Sequence, residues 1–313
     1  MNSNLCKAPH TNMYCSVEGF VSPCWLTIGN CDKWSEDRSL KDIWFGEHFD
    51  RYRNKCCSLH KDFTIADAYE NNIVKKYPSM IELELSNQCN FECIMCDERL
   101  SSGIRKNKGL PPMPKAYSDK FIDELEEFFP YLDEIRFNGG EPFAQKIVFD
   151  IIDKIDDMKK INVATNGSIL NKRVREYIEK KNISLNISID ALTKNLYEQI
   201  RVNGDFDIVM KNFNVFKQYC DIAVMVNPMT NNWFQMKDFV DFCNENDVYL
   251  GYNTVRYPKH LSIQHMPVEM IENVYLTLHK QVNTYPNKNH NWKRFEYLVE
   301  TQIKNWMLEK WNG

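Results

Sequence analysis

The chain reads as an α/β protein built on parallel strands, on three observations. From Ile81 onward, strand-like runs alternate with helix-like runs. Glycine-rich and polar motifs gather just past those strand-like runs. Hydrophobic residues make up 43% of the 313 residues and charged residues 26%, the mix of a globular chain. That length leaves room for one large domain and a small one.

Residues 1–77 form a cysteine-rich module. It holds Cys6, Cys15, Cys24, Cys31, Cys56 and Cys57, six of the eleven cysteines. The run MYCSVEGFVSPCW reads as a hairpin with Glu18-Gly19 at its turn. An amphipathic helix is expected to start at Ser39-Leu40-Lys41-Asp42-Ile43-Trp44, continue through Phe49 and Tyr52, and end near residues 55–60. Residues 63–77 read as a polar, helix-leaning connector, and Pro78 marks a boundary. Strands are then expected at 81–86, 134–138, 161–165, 184–189, 221–227 and 248–254. Helices are expected at about 117–129, 144–158, 170–182, 205–219 and 232–246. Such alternation argues for parallel strands joined by right-handed crossovers. Residues 101–115, rich in Lys, Gly and Pro, are either a mobile flap or a solvated linker. Residues 258–313 are expected to be an extended connector followed by helices at about 267–284 and 290–310.

The stretch ELELSNQCNFECIMCDE is where chemistry concentrates. Cys89, Cys93 and Cys96 stand in a Cys-x3-Cys-x2-Cys spacing directly after the first large strand. Three thiolates suit three irons of a cubic iron–sulfur cluster, leaving the fourth iron open. On spacing alone, a zinc site completed by His or Asp is the alternative, and with it a non-enzymatic zinc-binding or interaction protein. After the second strand comes Gly139-Gly140-Glu141-Pro142. The pair of motifs resembles the radical SAM superfamily, whose Cys-x3-Cys-x2-Cys loop follows the first barrel strand and whose GGEP motif follows the second.

That resemblance implies a partial (β/α)6 radical SAM barrel over residues 78–257, with residues 1–77 as the small module and 258–313 as a helical tail. It also implies a [4Fe-4S] cluster on Cys89, Cys93 and Cys96, whose open iron holds S-adenosylmethionine. The enzyme would then cleave S-adenosylmethionine reductively to a 5′-deoxyadenosyl radical and take a hydrogen atom from a substrate, a peptide or small molecule. An oxidation or bond-forming modification is the expected outcome, with flavodoxin or ferredoxin as reductant. The Gly139-Gly140 backbone would receive the S-adenosylmethionine amino group, and Glu141, a cofactor-site residue with them, would shape the turn with Pro142. Asn166 of the Thr165-Asn166-Gly167 turn would face S-adenosylmethionine or substrate, or simply serve the turn. Ser188 and Asp190 share one strand face and would contact the ribose or carboxylate, with Arg201 on the carboxylate. A surface salt bridge is the plainer alternative for Arg201. Asn227, Asn253 and Arg256 are further candidates for adenine or substrate contacts.

The N-terminal module resembles the first half of a SPASM or twitch domain, which carries auxiliary iron–sulfur clusters. Cys6 matches the first cysteine, Gly19 and Cys24 the hairpin, and Cys57 the first member of the terminal pair. His60 stands where the second member would be, with Cys56 a rival for one place. The module precedes the barrel instead of following it, and later cysteines of the pattern are absent, so at most one auxiliary cluster is expected.

The net charge of −4 and the lack of a basic run argue against a nucleic-acid partner. No apolar stretch approaches the roughly 18 residues of a membrane span. The first ten residues lack the apolar core of a secretory signal, so a cytoplasmic protein with reduced thiols is expected.

Overall fold

The computed structural model describes residues 7–54 and 76–311. They fall into two compact units.

The first unit takes residues up to Asn90, Asp97–Ala164 and Lys172–Ser184. After a short helix α1 (Ala8–Thr11), β1 (Asn12–Cys15) and β2 (Phe20–Ser22) form the expected hairpin, pairing Tyr14 with Ser22 and Cys15 with Val21. β3 (Asp32–Lys33) adds antiparallel to β2. β4 (Met80–Glu84), β5 (Glu134–Asn138) and β6 (Lys160–Thr165) run parallel, in the order β3-β2-β1-β4-β5-β6. β1 joins the parallel set, pairing residue by residue from Asn12 with Met80 to Cys15 with Leu83. Among the described residues, the helices of this unit besides α1 are α2 (Leu40–Trp44), α3 (Glu47–Asn54), α4 (Ser102–Asn107), α5 (Asp119–Glu126), α6 (Lys146–Lys154) and α7 (Lys172–Lys180). Phe121, Leu125, Ile151 and Ile152 from α5 and α6 are fully buried, as are Ile81, Leu83 and Phe137 of the strands. Burial of such side chains contributes about 1.5–3 kcal/mol each.

The second unit takes Phe91–Cys96, Thr165–Asn171 and Leu185–Gly313. Strands follow the order β7 (Ile183–Ser188), β8 (Asp221–Val226) and β9 (Tyr249–Tyr252), with β8 and β9 parallel. Between them lie α8 (Lys194–Ile200), α9 (Phe206–Phe216) and α10 (Met236–Glu245). The tail is helical: α11 (Val268–Thr284), α12 (His290–Tyr297), a π-helical turn (Leu298–Ile303) and α13 (Lys304–Trp311). Asn291 of α12 accepts from the Leu250 amide at 2.8 Å and donates to the Val248 carbonyl at 2.9 Å, so a side chain bonds the backbone that flanks and enters β9. Among the described residues no helix is long and apolar enough to cross a membrane.

The six large strands and five helices expected from periodicity are present within a few residues of their ends. Three local features differ. The helix expected to run from Ser39 past Tyr52 is broken: Gly46 turns so tightly that a Cβ there would lie 2.6 Å from the Asp42 carbonyl oxygen. Residues 194–200 form a helix where none was expected, because seven residues with two buried side chains, Tyr197 and Ile200, carry too little periodicity to read. The loop at 101–115 opens with α4, capped by the Ser101 hydroxyl, which accepts from the Ile104 amide at 3.3 Å. The expected end of the N-terminal helix, the connector at 63–75, and Cys6, Cys56, Cys57 and His60 lie outside the described residues.

Candidate active site

In the first unit the glycine motif is folded onto the segment that leads into the cysteine loop. β4 and β5 lie side by side and end together, Glu84 opposite Asn138. The chain past β5 then doubles back: the Glu141 amide donates to the Gln88 carbonyl at 2.8 Å. Gln145, 1% exposed, donates from Nε2 to the Ser86 carbonyl at 3.2 Å and the Gly139 carbonyl at 2.9 Å. Gly139 and Gly140 have φ of +73° and +55°, a region where a side chain is strained. Space excludes one as well. A Cβ on Gly139 would lie 2.9 Å from the Glu84 Cβ, and one on Gly140 would lie 2.5 Å from the Gln88 carbonyl oxygen. Glu141 is fully buried, and its carboxylate accepts from the Phe143 amide at 3.1 Å.

Beside this cradle sits a buried polar cluster that sequence reasoning missed. Glu82 accepts from Asn12 Nδ2 at 3.1 Å, and Asn12 also donates to the Pro23 carbonyl at 2.8 Å. Burial raises the Glu84 carboxyl above its usual range, against its hydrogen bond from Tyr14 and the charge of Arg99. Burial, together with the Glu84 carboxylate, raises the Tyr14 phenol. The only signal was alternation: Glu82 and Glu84 share one face of a strand whose neighbours are apolar.

Cys89 lies on the same loop, half-buried, its amide donating to the Ser102 hydroxyl at 3.3 Å. The next segment belongs to the second unit. Glu92 and Ile94 donate their amides to the carbonyls of Val202 and Ile200, at 2.9 and 3.0 Å. That ladder brings Cys93 beside Arg201. Arg201 Nη1 lies 3.8 Å from Cys93 Sγ, and Nη2 lies 2.6 Å from Asp190 Oδ2. Cys93, Arg201 and Asp190 are all buried, at 9%, 7% and 0% exposure. Burial raises the Cys93 thiol, and the Arg201 guanidinium pulls it back down. Asp190 Oδ1 accepts from the Asn227 amide at 2.7 Å and from Asn227 Nδ2 at 3.0 Å. Asn232, fully buried, donates to the carbonyls of Asp190 and Asn227 at 2.8 and 3.0 Å. Asn227 is thus held by Asp190, while Asn253 and Arg256 are exposed. Nothing in the sequence marks Asn232.

Asn166 is 6% exposed and accepts at Oδ1 from the Ser168 amide and hydroxyl, at 2.9 and 2.7 Å. It closes its own turn, as Asn before Gly commonly does. Ser188 is half-buried at the end of β7. Cys96, half-buried, donates its amide to the Cys93 carbonyl at 2.9 Å. In the N-terminal hairpin Cys24 is 1% exposed, against Ala8, Met80 and Leu26. Cys31 is half-buried, its thiol pushed up to about 11 by burial and by Asp32.

Two features fit a cluster with S-adenosylmethionine on it. Arg201 Nε is buried without a partner, a donor left for an acceptor the protein does not supply. The glycine pair leaves backbone open where any side chain would collide. Among the described residues no three Cys, His, Asp or Glu side chains converge on one metal ion. A cubic cluster does not require that, since each thiolate binds its own iron.

The model of the radical SAM superfamily matches residues 83–243, and that of an iron–sulfur cluster-binding SPASM domain matches residues 6–70. GTP 3′,8-cyclase from Haemophilus influenzae is 29% identical over 167 residues, 52% of this chain and 48% of that protein. The Limosilactobacillus fermentum enzyme of the same name is 26% identical over 184 residues, 55% of this chain and 52% of that one. The chain thus spans about half the length of the curated relatives it matches. Among solved structures, Streptococcus suis SuiB bound to precursor peptide SuiA shares the fold at a TM-score of 0.51 and 15% identity, covering 80% of this chain and 55% of SuiB.

Proposed function

The chain belongs to the radical SAM superfamily, with a SPASM iron–sulfur domain ahead of its partial (β/α)6 barrel, and from that premise we propose that it generates a substrate radical from a small molecule. The family makes it an enzyme that uses a [4Fe-4S] cluster, S-adenosylmethionine and an additional iron–sulfur cluster, which sets aside the structural-zinc alternative. When bound, the cluster and S-adenosylmethionine supply reductive cleavage to a 5′-deoxyadenosyl radical and removal of a hydrogen atom from the substrate.

The chain's own residues do the holding. Cys89, Cys93 and Cys96 are the cluster ligands in this reading. The Gly139-Gly140 backbone, with Glu141 fixing the turn, takes the amino group of S-adenosylmethionine. Asp190 and Ser188 are the proposed contacts to ribose or carboxylate, and Asn166 shapes its own turn. Arg201 carries two tasks: its Nη1 steadies the Cys93 thiolate, and its free Nε is the donor for a carboxylate. Asp190 orients that guanidinium and keeps it charged while buried. Cys6, Cys24 and Cys57, with His60 or Cys56 completing the set, hold the second cluster.

The observation that carries the reading is the buried Asp190–Arg201–Cys93 chain, which puts a permanent cation against a loop cysteine. The small-molecule substrate rests on the curated relatives named for a reaction of GTP. Flavodoxin or ferredoxin in a cytoplasmic setting is the proposed electron source. The test is anaerobic reconstitution with iron and sulfide, then S-adenosylmethionine and dithionite, with 5′-deoxyadenosine followed by chromatography. Wild-type protein forms it, and the variant with Cys89, Cys93 and Cys96 all exchanged for Ala does not. Equal formation by both would overturn the ligand assignment.

A further inference from the structure

The segment that leaves the cysteine loop is charged unlike the rest of the chain. From Arg99 to Ser118 it holds five cations, Arg99, Arg105, Lys106, Lys108 and Lys115, and no acid. Over the whole chain the balance is the reverse, 43 acidic residues against 39 basic ones. Two of the five cations are met locally. Arg99 lies 3.9 Å from Glu18 and 4.0 Å from Glu84, and Lys108 pairs with Glu98 at 2.6 Å. Lys106 and Lys115 are exposed and have no ion pair among the described residues.

The same segment is built onto the cysteine loop. The Ser102 amide donates to the Asn87 carbonyl at 2.8 Å. The Ser102 hydroxyl accepts from the Cys89 amide and donates to the Cys89 carbonyl, each at 3.3 Å. The far end of α4 is closed as well. Gly109, at φ +68°, donates to the Lys106 carbonyl at 2.9 Å, and the Leu110 amide donates to the Arg105 carbonyl at 3.2 Å. Arg105 Nε then donates to the Pro111 carbonyl at 2.5 Å, folding the chain past the helix back onto it. In the chain between the two unpaired lysines stand Leu110, 40% exposed, and the exposed Pro111, Pro112 and Pro114. An apolar centre flanked by charge is the anatomy of a protein interface.

Resting on the cluster assignment above, we propose that α4 and residues 109–115 are the docking face for the electron carrier, a small acidic protein of the flavodoxin or ferredoxin kind. Lys106 and Lys115 meet its acidic surface, and Leu110 and the prolines make the dry contact. Electron-transfer encounters are small and steered by charge, which suits one short helix and the loop after it. The bonds from Ser102 to Cys89 tie that face to a proposed cluster ligand. One electron leaves the reduced carrier and enters the cluster, so the carrier is oxidised as the cluster is reduced, and no bond or proton changes hands.

Isothermal titration of the reconstituted full-length protein with oxidised flavodoxin tests the face without turnover. Lys106→Glu with Lys115→Glu should weaken binding about tenfold at low ionic strength, and the gap to wild type should close in about 0.5 M sodium chloride, where the charges are screened. Lys172→Glu with Lys180→Glu on α7 changes the net charge equally at exposed lysines elsewhere and should bind like wild type. Stopped-flow bleaching of the cluster by reduced flavodoxin should slow about tenfold in the first variant, and bleaching by dithionite should not change. Absence of binding by wild type, equal affinity of wild type and the first variant, equal weakening by both variants, or displacement by polyglutamate as strong as by flavodoxin would each overturn the docking face. Wild-type protein that binds flavodoxin through these lysines and is bleached by neither reductant would leave the face standing and overturn the cluster assignment.

Discussion

Arg201 and Asp190 set the terms at the scale of single residues. A guanidinium buried to 7% exposure is tolerable only with its carboxylate at 2.6 Å. Removing one partner of such a pair leaves the other charge uncompensated, at a cost of about 3–5 kcal/mol. Asp190→Ala should lose that much in chemical denaturation, and Asp190→Ala with Arg201→Met should recover a large part of it. A double variant no more stable than the single would mean that Asp190 matters for its bonds to Asn227, not for the charge. Glu84 poses the opposite case. Burial holds its carboxyl above the ordinary value of 4.5, so between 4.5 and the raised value the native chain keeps a proton that the unfolded chain has lost. Its contribution to stability is therefore full below about pH 4.5 and is lost as pH rises through the folded-state value. Glu84→Gln cannot ionise. The melting temperature of the variant relative to wild type should climb from pH 4.5 to pH 8, and a constant difference would contradict the shift.

At the scale of elements, the glycine motif makes the sharpest demand. Gly140 combines φ of +55° with a backbone carbonyl 2.5 Å from any added Cβ, so Ala there must displace either itself or the segment at Gln88. Gly140→Ala should weaken S-adenosylmethionine binding by at least tenfold in equilibrium dialysis, while the iron content stays at the wild-type level. Loss of iron with affinity intact would place the role of Gly140 in folding the cysteine loop. The same scale shows what periodicity can and cannot deliver. The strand Ile183–Ser188 was legible because its apolar residues alternate, buried and half-buried in turn. Its polar face, including Ser188, could be read for the same reason. α8 was not legible, since two buried residues in seven fix no period. Nor was the break at Gly46, where sequence shows a continuous amphipathic run and the turn depends on one tight backbone approach.

For the whole molecule, the chemistry was legible where it is carried by spacing along the chain. Three cysteines within eight residues and a glycine pair after the next large strand need no tertiary information. Asn232, and the Asn12 and Tyr14 partners of the β4 carboxylates, needed it, because their meaning comes from neighbours far away in sequence. The two family matches, at residues 6–70 and 83–243, are separate stretches of chain, and the proposed ligands of the two clusters fall one set in each. If those sets are independent, losing one leaves the other filled. Exchange of Cys89, Cys93 and Cys96 for Ala should then lower the iron bound per reconstituted chain by about four, the content of one cubic cluster, and leave the rest. The measurement is iron and acid-labile sulfide per protein, with Cys24→Ala as the reciprocal variant, expected to deplete the N-terminal share alone. Complete iron loss in the triple variant would mean that the second cluster assembles only once the first is in place. No loss would mean that the loop cysteines are not ligands, whatever their spacing.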